Sequence, residues 1–145
     1  MSVTFADLED SQLTSIGSEA FFYCKSLKSI EIPASVTSIA EYAFQSCTSL
    51  TSVTFAEGFA GTIDSDVFYD CSKLTKTQYG NCTYIKANDN PYFLLYSCDN
   101  KNLSTYQIHE ATKIIGGSVF SSCSRLSTIT IPARVTSIGD SAFNN

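Results

Sequence analysis

The chain has 145 residues, of which 43% are hydrophobic and 16% are charged, and its formal net charge is −5. This composition is typical of a single globular domain over residues 1–145, and it excludes a disordered chain or a coiled coil. The acidic balance, with scattered Lys and Arg, argues against nucleic acid as a partner, and no apolar run reaches the roughly 20 residues of a membrane-spanning helix.

The two ends of the chain resemble the middle of a repeat array. Residues 2–6 (SVTFA) have the same sequence as residues 52–56, and the last repeat stops at Phe143. Terminal repeats of a solenoid are normally atypical and polar on the outside. We therefore expect the chain to be part of a longer array, with partial coils at both ends that favour end-to-end self-association.

A twelve-residue pattern, Ile-x-x-x-(Ala/Val)-Phe-x-x-Cys-x-x-Leu, recurs along the chain. Its copies begin at Ile16, Ile39, Ile63, Ile115 and, incompletely, Ile138. The phenylalanines of consecutive copies are 23 or 24 residues apart, except between Phe68 and Phe120. Fixed periods of about 20–29 residues are typical of solenoids, in which each coil buries its apolar side against its neighbours.

Each coil is expected to contain one short strand and one helical turn. Ile30 and Ile32 alternate with polar residues and Pro33 ends the run, which is typical of a strand with one buried face. Ile16 and Phe21 have the spacing of a single helical turn on the opposite side. The sequence thus predicts about five coils with a parallel strand ladder, a single stacked column of the five repeat phenylalanines, and a second column of leucines.

Residues 79–102 replace the usual first half of one coil. Two apolar runs, at residues 82–85 and 92–96, flank the turn-prone residues 88–91, which predicts a β-hairpin insert. Cys82 and Cys98 would face each other across this hairpin if the turn is centred near residue 90, and they are a candidate disulfide pair, depending on the redox compartment. The other cysteines share one repeat position and are expected to be buried, reduced core residues: Cys24, Cys47, Cys71 and Cys123.

The combined pattern Ile-Gly-x-x-Ala-Phe-x-x-Cys-x-x-Leu-x-x-Ile-x-Ile-Pro-x-x-Val-x-x-Ile resembles the BspA-like leucine-rich repeat family. Residues 16–39 and 115–138 carry it most closely, while Ala40 and Asp64 replace the usual glycine. The resemblance implies a right-handed α/β leucine-rich repeat solenoid of bacterial and protist cell surfaces. It also implies adhesion to host proteins or other cells, and no catalytic residues.

The residues themselves offer no catalytic or cofactor site. His109 is the only histidine, and its neighbour Glu110 would point to the opposite face of a strand. No short Cys-x-x-Cys pair suggests zinc, and no phosphate-binding loop occurs. We therefore expect a non-enzymatic protein without cofactor or metal.

The strand face is the expected binding site. Its outward positions are polar and nearly uncharged, and the residues that we assign to it are Glu31, Thr54, Lys76, Gln78, Gln107 and Thr130. Solenoids commonly bind through such extended surfaces, although the same residues would also serve as plain solvated surface. The expected partner is a protein of the host extracellular matrix or of a cell surface, with a glycan as the alternative. Localisation at the cell surface or after secretion follows from the resemblance, and the alternative is a cytoplasmic scaffold.

Overall fold

The computed structural model describes Val3 and residues 10–144, so most of the 2–6 segment lies outside the described residues. The strands are β1 (Ser15–Ile16), β2 (Ser29–Ile32), β3 (Ser38–Ile39), β4 (Ser52–Phe55), β5 (Thr62–Ile63), β6 (Lys76–Tyr79), β7 (Cys82–Ala87), β8 (Asn90–Cys98), β9 (Ile114–Ile115) and β10 (Ser137–Ile138). In the described ranges there is no helix, and hence none that could cross a membrane.

The predicted solenoid is confirmed, with two parallel ladders in its first three coils. β1, β3 and β5 form one ladder, in which Ile16, Ile39 and Ile63 occupy equivalent places. β2 and β4 form the other, in register from Ser29 opposite Ser52 to Ile32 opposite Phe55. Alternating burial along β2 and β4 puts the apolar residues inside, as their period of two predicts.

The expected helical turns are hydrogen-bonded turns in the structure. Two residues in each complete turn have a left-handed backbone, at the repeat positions two before and two after the phenylalanine. In the first coil they are Glu19 (φ 58°) and Tyr23 (φ 62°), and Tyr42 and Ser46 repeat this in the second. Two left-handed residues within five positions interrupt a right-handed helix, which explains why the spacing from Ile16 to Phe21 does not produce one.

The predicted hairpin is confirmed and belongs to a larger sheet. β7 and β8 are antiparallel around a turn at Asn88 and Asp89, and β6 adds antiparallel to β7. On the other side, β8 pairs in parallel with β9, and β9 with β10. The sheet order is therefore β10-β9-β8-β7-β6. The third coil's strand, β6, consequently leaves the β2/β4 ladder, contrary to the predicted continuous ladder.

This sheet divides the interior into two hydrophobic cores. Ile85, Leu94 and Ile114 belong to the core of the first three coils. Their sequence neighbours Tyr84, Leu95 and Ile115 belong to the core of the last coils. Because successive side chains of a strand point to opposite faces, the sheet buries both of its faces.

The prediction of a single phenylalanine column was wrong, because the five-stranded sheet separates the five rings into two stacks. Phe21, Phe44 and Phe68 stack with ring centroids 5.0 and 5.6 Å apart, and Phe120 stacks on Phe143 at 5.0 Å. Phe68 and Phe120 lie in different cores. The leucines divide in the same way, with Leu27, Leu50 and Leu74 in the first core and Leu103 and Leu126 packed against the second.

The two halves of the chain also meet directly, where β5 contacts β9 and β10. The N–H of Gly117 donates to the carbonyl of Ile63 at 2.8 Å, and the Ser137 hydroxyl donates to that of Gly61 at 2.8 Å. A β-carbon on Gly139 would lie 2.5 Å from the Ile63 carbonyl oxygen. This approach of the two main chains therefore depends on glycine.

Candidate functional site

The structure exposes every residue of the expected binding face, but in three groups. Glu31 and Thr54 are direct neighbours in the β2/β4 ladder. Lys76 and Gln78 lie two residues apart on β6, and the Gln78 amide donates to the Thr83 hydroxyl at 2.7 Å. The remaining pair, Gln107 and Thr130, lines a groove in the second half of the chain.

One continuous parallel ladder does not underlie these groups. Lys76 and Gln78 belong to an antiparallel strand, while Gln107 and Thr130 lie in segments without regular strand pairing. The expected ladder failed at β6 because Thr77 occupies the place of a buried aliphatic residue and is only half-buried. The antiparallel partner β7 then provides the hydrogen bonds that a parallel neighbour would have supplied.

The groove holding Gln107 and Thr130 has a volume of about 500 Å³. We call it the Tyr79 groove. Its polar lining comes from Thr105, Gln107, Glu110, Thr128 and Thr130, and its apolar lining from Ile108, Ile129, Pro132 and the rings of Tyr79 and Tyr106. Only Glu110 among these is charged. The lining is thus almost uncharged, and it mixes polar with apolar side chains, including two aromatic rings.

A stack of aromatic rings holds one wall of the Tyr79 groove. His109 lies parallel to Tyr92 with ring centroids 3.6 Å apart, and the Tyr79 ring meets His109 edge-on at 4.9 Å. The N–H of Ala111 donates to His109 Nδ1 at 3.1 Å, so the neutral imidazole carries its proton on Nε2. The main-chain N–H of His109 donates to the Tyr84 hydroxyl at 3.1 Å. His109 is therefore a structural residue of this wall.

Of the tyrosines in and next to the hairpin, which are Tyr79, Tyr84, Tyr92, Tyr96 and Tyr106, only Tyr79 is well exposed, at 36%. Tyr84 and Tyr106 are buried, and burial raises the pKa of both phenols. The half-buried Tyr96 has a raised pKa for the same reason. Most of these tyrosines thus pack the hairpin against the two cores.

A second, smaller groove lies where the β2/β4 ladder stops. It has a volume of about 190 Å³ and runs between β4 and the turn after β7. The side-chain amide of Asn88 closes one end by hydrogen-bonding both main-chain groups of Phe55. An amide side chain therefore takes the place of the next strand at Phe55, which shields this edge.

The cysteines divide as their sequence positions suggest. Cys82 and Cys98 face each other across β7 and β8, with Cα atoms 4.0 Å apart, and are joined by a disulfide. The other four are free, and all except the half-buried Cys24 are buried. Hydrogen bonding with Cys47, together with burial, raises the pKa of Cys71.

The arrangement suits binding better than chemistry. Within Val3 and residues 10–144, no group of three or more His, Cys, Asp or Glu side chains is placed to hold a metal ion. The buried thiols donate to main-chain carbonyls, Cys47 to Phe21 at 3.2 Å and Cys71 to Phe44 at 3.1 Å. The thiols of Cys47 and Cys71 are therefore hydrogen-bonded and buried, out of reach of a substrate.

Several solved structures resemble the chain. A leucine-rich repeat protein of T. pallidum has a TM-score of 0.46 and 24% identity, covering 94% of this chain and 50% of its own. The pneumococcal vaccine antigen PcpA has a TM-score of 0.44 and 20% identity, covering 93% and 41%. A Bacteroides ovatus leucine-rich repeat protein has a TM-score of 0.45 and 22% identity, covering 98% and 41%. The chain spans half of their length or less, and no curated protein matches it.

Sequence comparison identifies the repeat itself. The profile of the BspA type leucine rich repeat region, with six copies, matches residues 2–90 and 91–145. The matched residues include all five phenylalanine positions and the hairpin. Leucine-rich repeats are generally a non-enzymatic, protein-interaction fold. The chain belongs to the BspA-type leucine-rich repeat family.

Proposed function

We propose that the chain is a non-catalytic protein-binding module of a larger cell-surface or secreted protein, and that it mediates adhesion to a host or to other cells. The observation that carries the proposal is the set of exposed polar side chains that three successive parts of the solenoid present, in three groups. The binding face comprises Glu31, Thr54, Lys76, Gln78, Gln107 and Thr130, all of which are exposed. None of them is needed to fill either core, so they are available for a partner.

The disulfide supports a location outside the cytoplasm. Cys82 and Cys98 are joined at the base of the hairpin, and disulfides persist mainly in oxidising compartments. A cytoplasmic scaffold would keep this pair reduced. Mass spectrometry of the protein taken from its natural cells, alkylated before lysis, would distinguish these cases. A reduced pair in intracellular material would favour the scaffold.

Binding is tested with the purified chain on immobilised extracellular-matrix proteins and on whole cells. We expect Thr54→Arg, Gln78→Arg and Gln107→Arg to weaken binding at least tenfold, because each places a long charged side chain on the face. Ser72→Arg and Ser124→Arg, on exposed turns, are matched controls that should bind like the parent. Few charges are available, so we expect affinity to depend weakly on salt. Unchanged binding by all three face variants would refute this assignment of the face.

We also propose that copies of the chain associate end to end through the last coil. Ile131 is 37% exposed and Ile138 is 42% exposed on this coil, where the repeat pattern otherwise buries isoleucine. Sedimentation velocity over a range of concentrations should show a self-association that Ile131→Ser with Ile138→Ser abolishes. Monomeric behaviour of the parent at high concentration would contradict this.

A further inference from the structure

The Tyr79 groove lies between two segments of main chain that lack the pairing found in earlier coils. Residues 105–108 and 128–131 are the counterparts of β2 and β4, according to the repeat. β2 and β4 pair residue by residue in parallel register. Among the described residues, by contrast, no hydrogen bond reaches the N–H or C=O of residues 105–108 or 129–131.

The unpaired stretch is bounded at both ends by bonds of the normal repeat. The N–H of Ser127 donates to the Ser104 carbonyl at 3.0 Å, which matches the bond from Thr51 to Lys28 in the earlier coils. Beyond the groove, the N–H of Thr136 donates to the Lys113 carbonyl at 2.9 Å. The two coils are thus held together on either side of the groove, and the unpaired stretch at residues 105–108 corresponds to roughly 13 Å of extended chain.

Tyr106 explains why the ladder opens here. In the repeat it takes the place of Ile30, Val53 and Ile129. Its ring packs edge-on against Phe120 at 5.1 Å, and its hydroxyl donates to the Asn100 carbonyl and contacts Cys123 Sγ. A buried phenol needs both more volume than isoleucine and a hydrogen-bond partner. Regular strand spacing is consequently lost beside it.

The side chains around the opening are fixed or unpaired. The Tyr79 ring is supported by His109, which is itself stacked on Tyr92. Glu110 is exposed, and it is the only charged one among the described residues that line the groove. A ligand would therefore meet a rigid aromatic wall at one side and a carboxylate at another, with unpaired main chain between them.

We propose that the Tyr79 groove binds an extended peptide segment of the partner protein, which adds as a strand along residues 105–108 and 128–131. This rests on the proposed function and specifies the partner's chemistry. Main-chain groups of the peptide pair with those of the groove, as in other cases of strand addition. A Lys or Arg of the peptide lies near Glu110, and an apolar side chain packs on Tyr79. A peptide is favoured over a glycan because the unsatisfied groups are mainly main-chain donors and acceptors.

The test uses a library of acetylated, amidated hexapeptides in which lysine is fixed at each position in turn, with fluorescence anisotropy as the readout. We expect lysine-containing, β-prone members to bind. Gln107→Pro removes one main-chain N–H and should weaken binding about tenfold, whereas Gln107→Ala should change it less than threefold. N-methylation of the peptide at alternate residues should weaken binding similarly. Glu110→Gln should reduce the preference for lysine.

Tyr106→Ile gives an independent readout, because it is designed to restore the isoleucine of the other coils. We expect it to weaken peptide binding and to slow amide hydrogen exchange at residues 105–108 and 128–131. Circular dichroism and thermal melting establish that each variant is folded. If Gln107→Pro does not fold, the N-methylated peptides decide the question alone.

Several results would overturn the proposal. Equal losses in Gln107→Ala and Gln107→Pro, or undiminished binding of N-methylated peptides, would mean recognition by side chains. Binding of oligosaccharides that Gln107→Ala abolishes, without peptide binding, would assign the groove to a glycan. Failure of the whole peptide library, with matrix-protein binding intact, would refute strand addition and leave the proposed function standing. Peptide binding without any protein partner would instead contradict the adhesion function.

Discussion

The side-chain amide of Asn88 binds both main-chain groups of Phe55: its oxygen accepts from the Phe55 N–H at 2.8 Å, and its nitrogen donates to the Phe55 carbonyl at 2.6 Å. Asn88 stands in the hairpin turn with a left-handed backbone, φ 48°. Glycine tolerates this conformation, so Asn88→Gly removes the two bonds without straining the turn. We expect it to lower the free energy of unfolding by roughly 1–3 kcal/mol, measured by urea denaturation.

Asp89→Gly is the matched control for this change. Asp89 is the next residue of the turn, with φ 60°, and is exposed. We expect its replacement to alter stability by less than about 0.5 kcal/mol. Equal effects of the two substitutions would show that the bonds to Phe55 contribute little.

The two halves of the chain approach closely at Gly139, so we expect an added methyl group to destabilise the protein at this position. A β-carbon there would overlap the Ile63 carbonyl and the Gly117 main chain. We expect Gly139→Ala to destabilise the protein by about 1–3 kcal/mol, as overpacked sites do. Gly17 occupies the same repeat position but has open space around it, so Gly17→Ala should be nearly neutral. Thermal melts of the two variants would check this, and similar midpoints would contradict it.

Removing the hydroxyl of a buried tyrosine should affect stability differently at Tyr96 and at Tyr106. The Tyr96 hydroxyl is buried near the Phe68 main chain without completing a hydrogen bond to any described residue. Tyr96→Phe should therefore be neutral or slightly stabilising, since an unsatisfied polar group is removed. Tyr106→Phe deletes the hydroxyl that donates to Asn100, and should cost about 0.5–1.5 kcal/mol. A larger loss for Tyr96→Phe than for Tyr106→Phe in urea denaturation would be inconsistent with these contacts.

Alkaline pH should destabilise the fold through ionisation of Tyr106. Burial, with the hydrogen bond to Cys123, raises the pKa of Tyr106 to about 12, from a usual value near 10. The folded state therefore favours the neutral phenol. Its contribution to stability is fully present below pH 10 and is lost as the pH rises towards 12. Tyr106→Phe should show a smaller fall of the urea midpoint across this range, whereas an identical fall would mean that other groups cause it.

Thiol reactivity should follow burial and pairing. Iodoacetamide and mass spectrometry at pH 8 should modify the half-buried Cys24 first, and the buried Cys47, Cys71 and Cys123 only on unfolding. Cys82 and Cys98 should react only after reduction. Their joint replacement by alanine should cost about 3 kcal/mol, the value for closing a loop of this length. Rapid labelling of Cys47 in the native protein would contradict the core assignment.

The sequence predicts the parts of the fold that depend on local periodicity. Ile30 and Ile32 fall at period two, and their strand forms as expected. The hairpin turn at residues 88–91 is recognisable from residues that favour turns, and β7 and β8 form around it. Both depend on contacts that recur along the chain or lie close within it.

The sequence did not predict which of two possible partners β6 would pair with. Lys76–Tyr79 could continue a parallel ladder or pair with the hairpin. Thr77 disfavours the ladder, but the competing partner β7 lies outside these four residues. The Tyr79 groove was missed for a related reason. Tyr106 was recognisable as a tyrosine at an isoleucine position, which was the available signal, but the resulting loss of pairing depends on Asn100 and Phe120. Of the six residues assigned to the face, only Gln107 and Thr130 line that groove.

Because the side chains of β8 point alternately to its two faces, the five-stranded sheet packs against a different hydrophobic core on each side. Leu94 serves the first core and Leu95 the second, although they are adjacent in sequence. Either half of the molecule could therefore be exchanged in a chimera by redesigning one face of the sheet and keeping the other. A graft that replaces residues 103–144 would have to match Tyr84, Leu95 and Ile115, while Ile85, Leu94 and Ile114 continue to complete the first three coils.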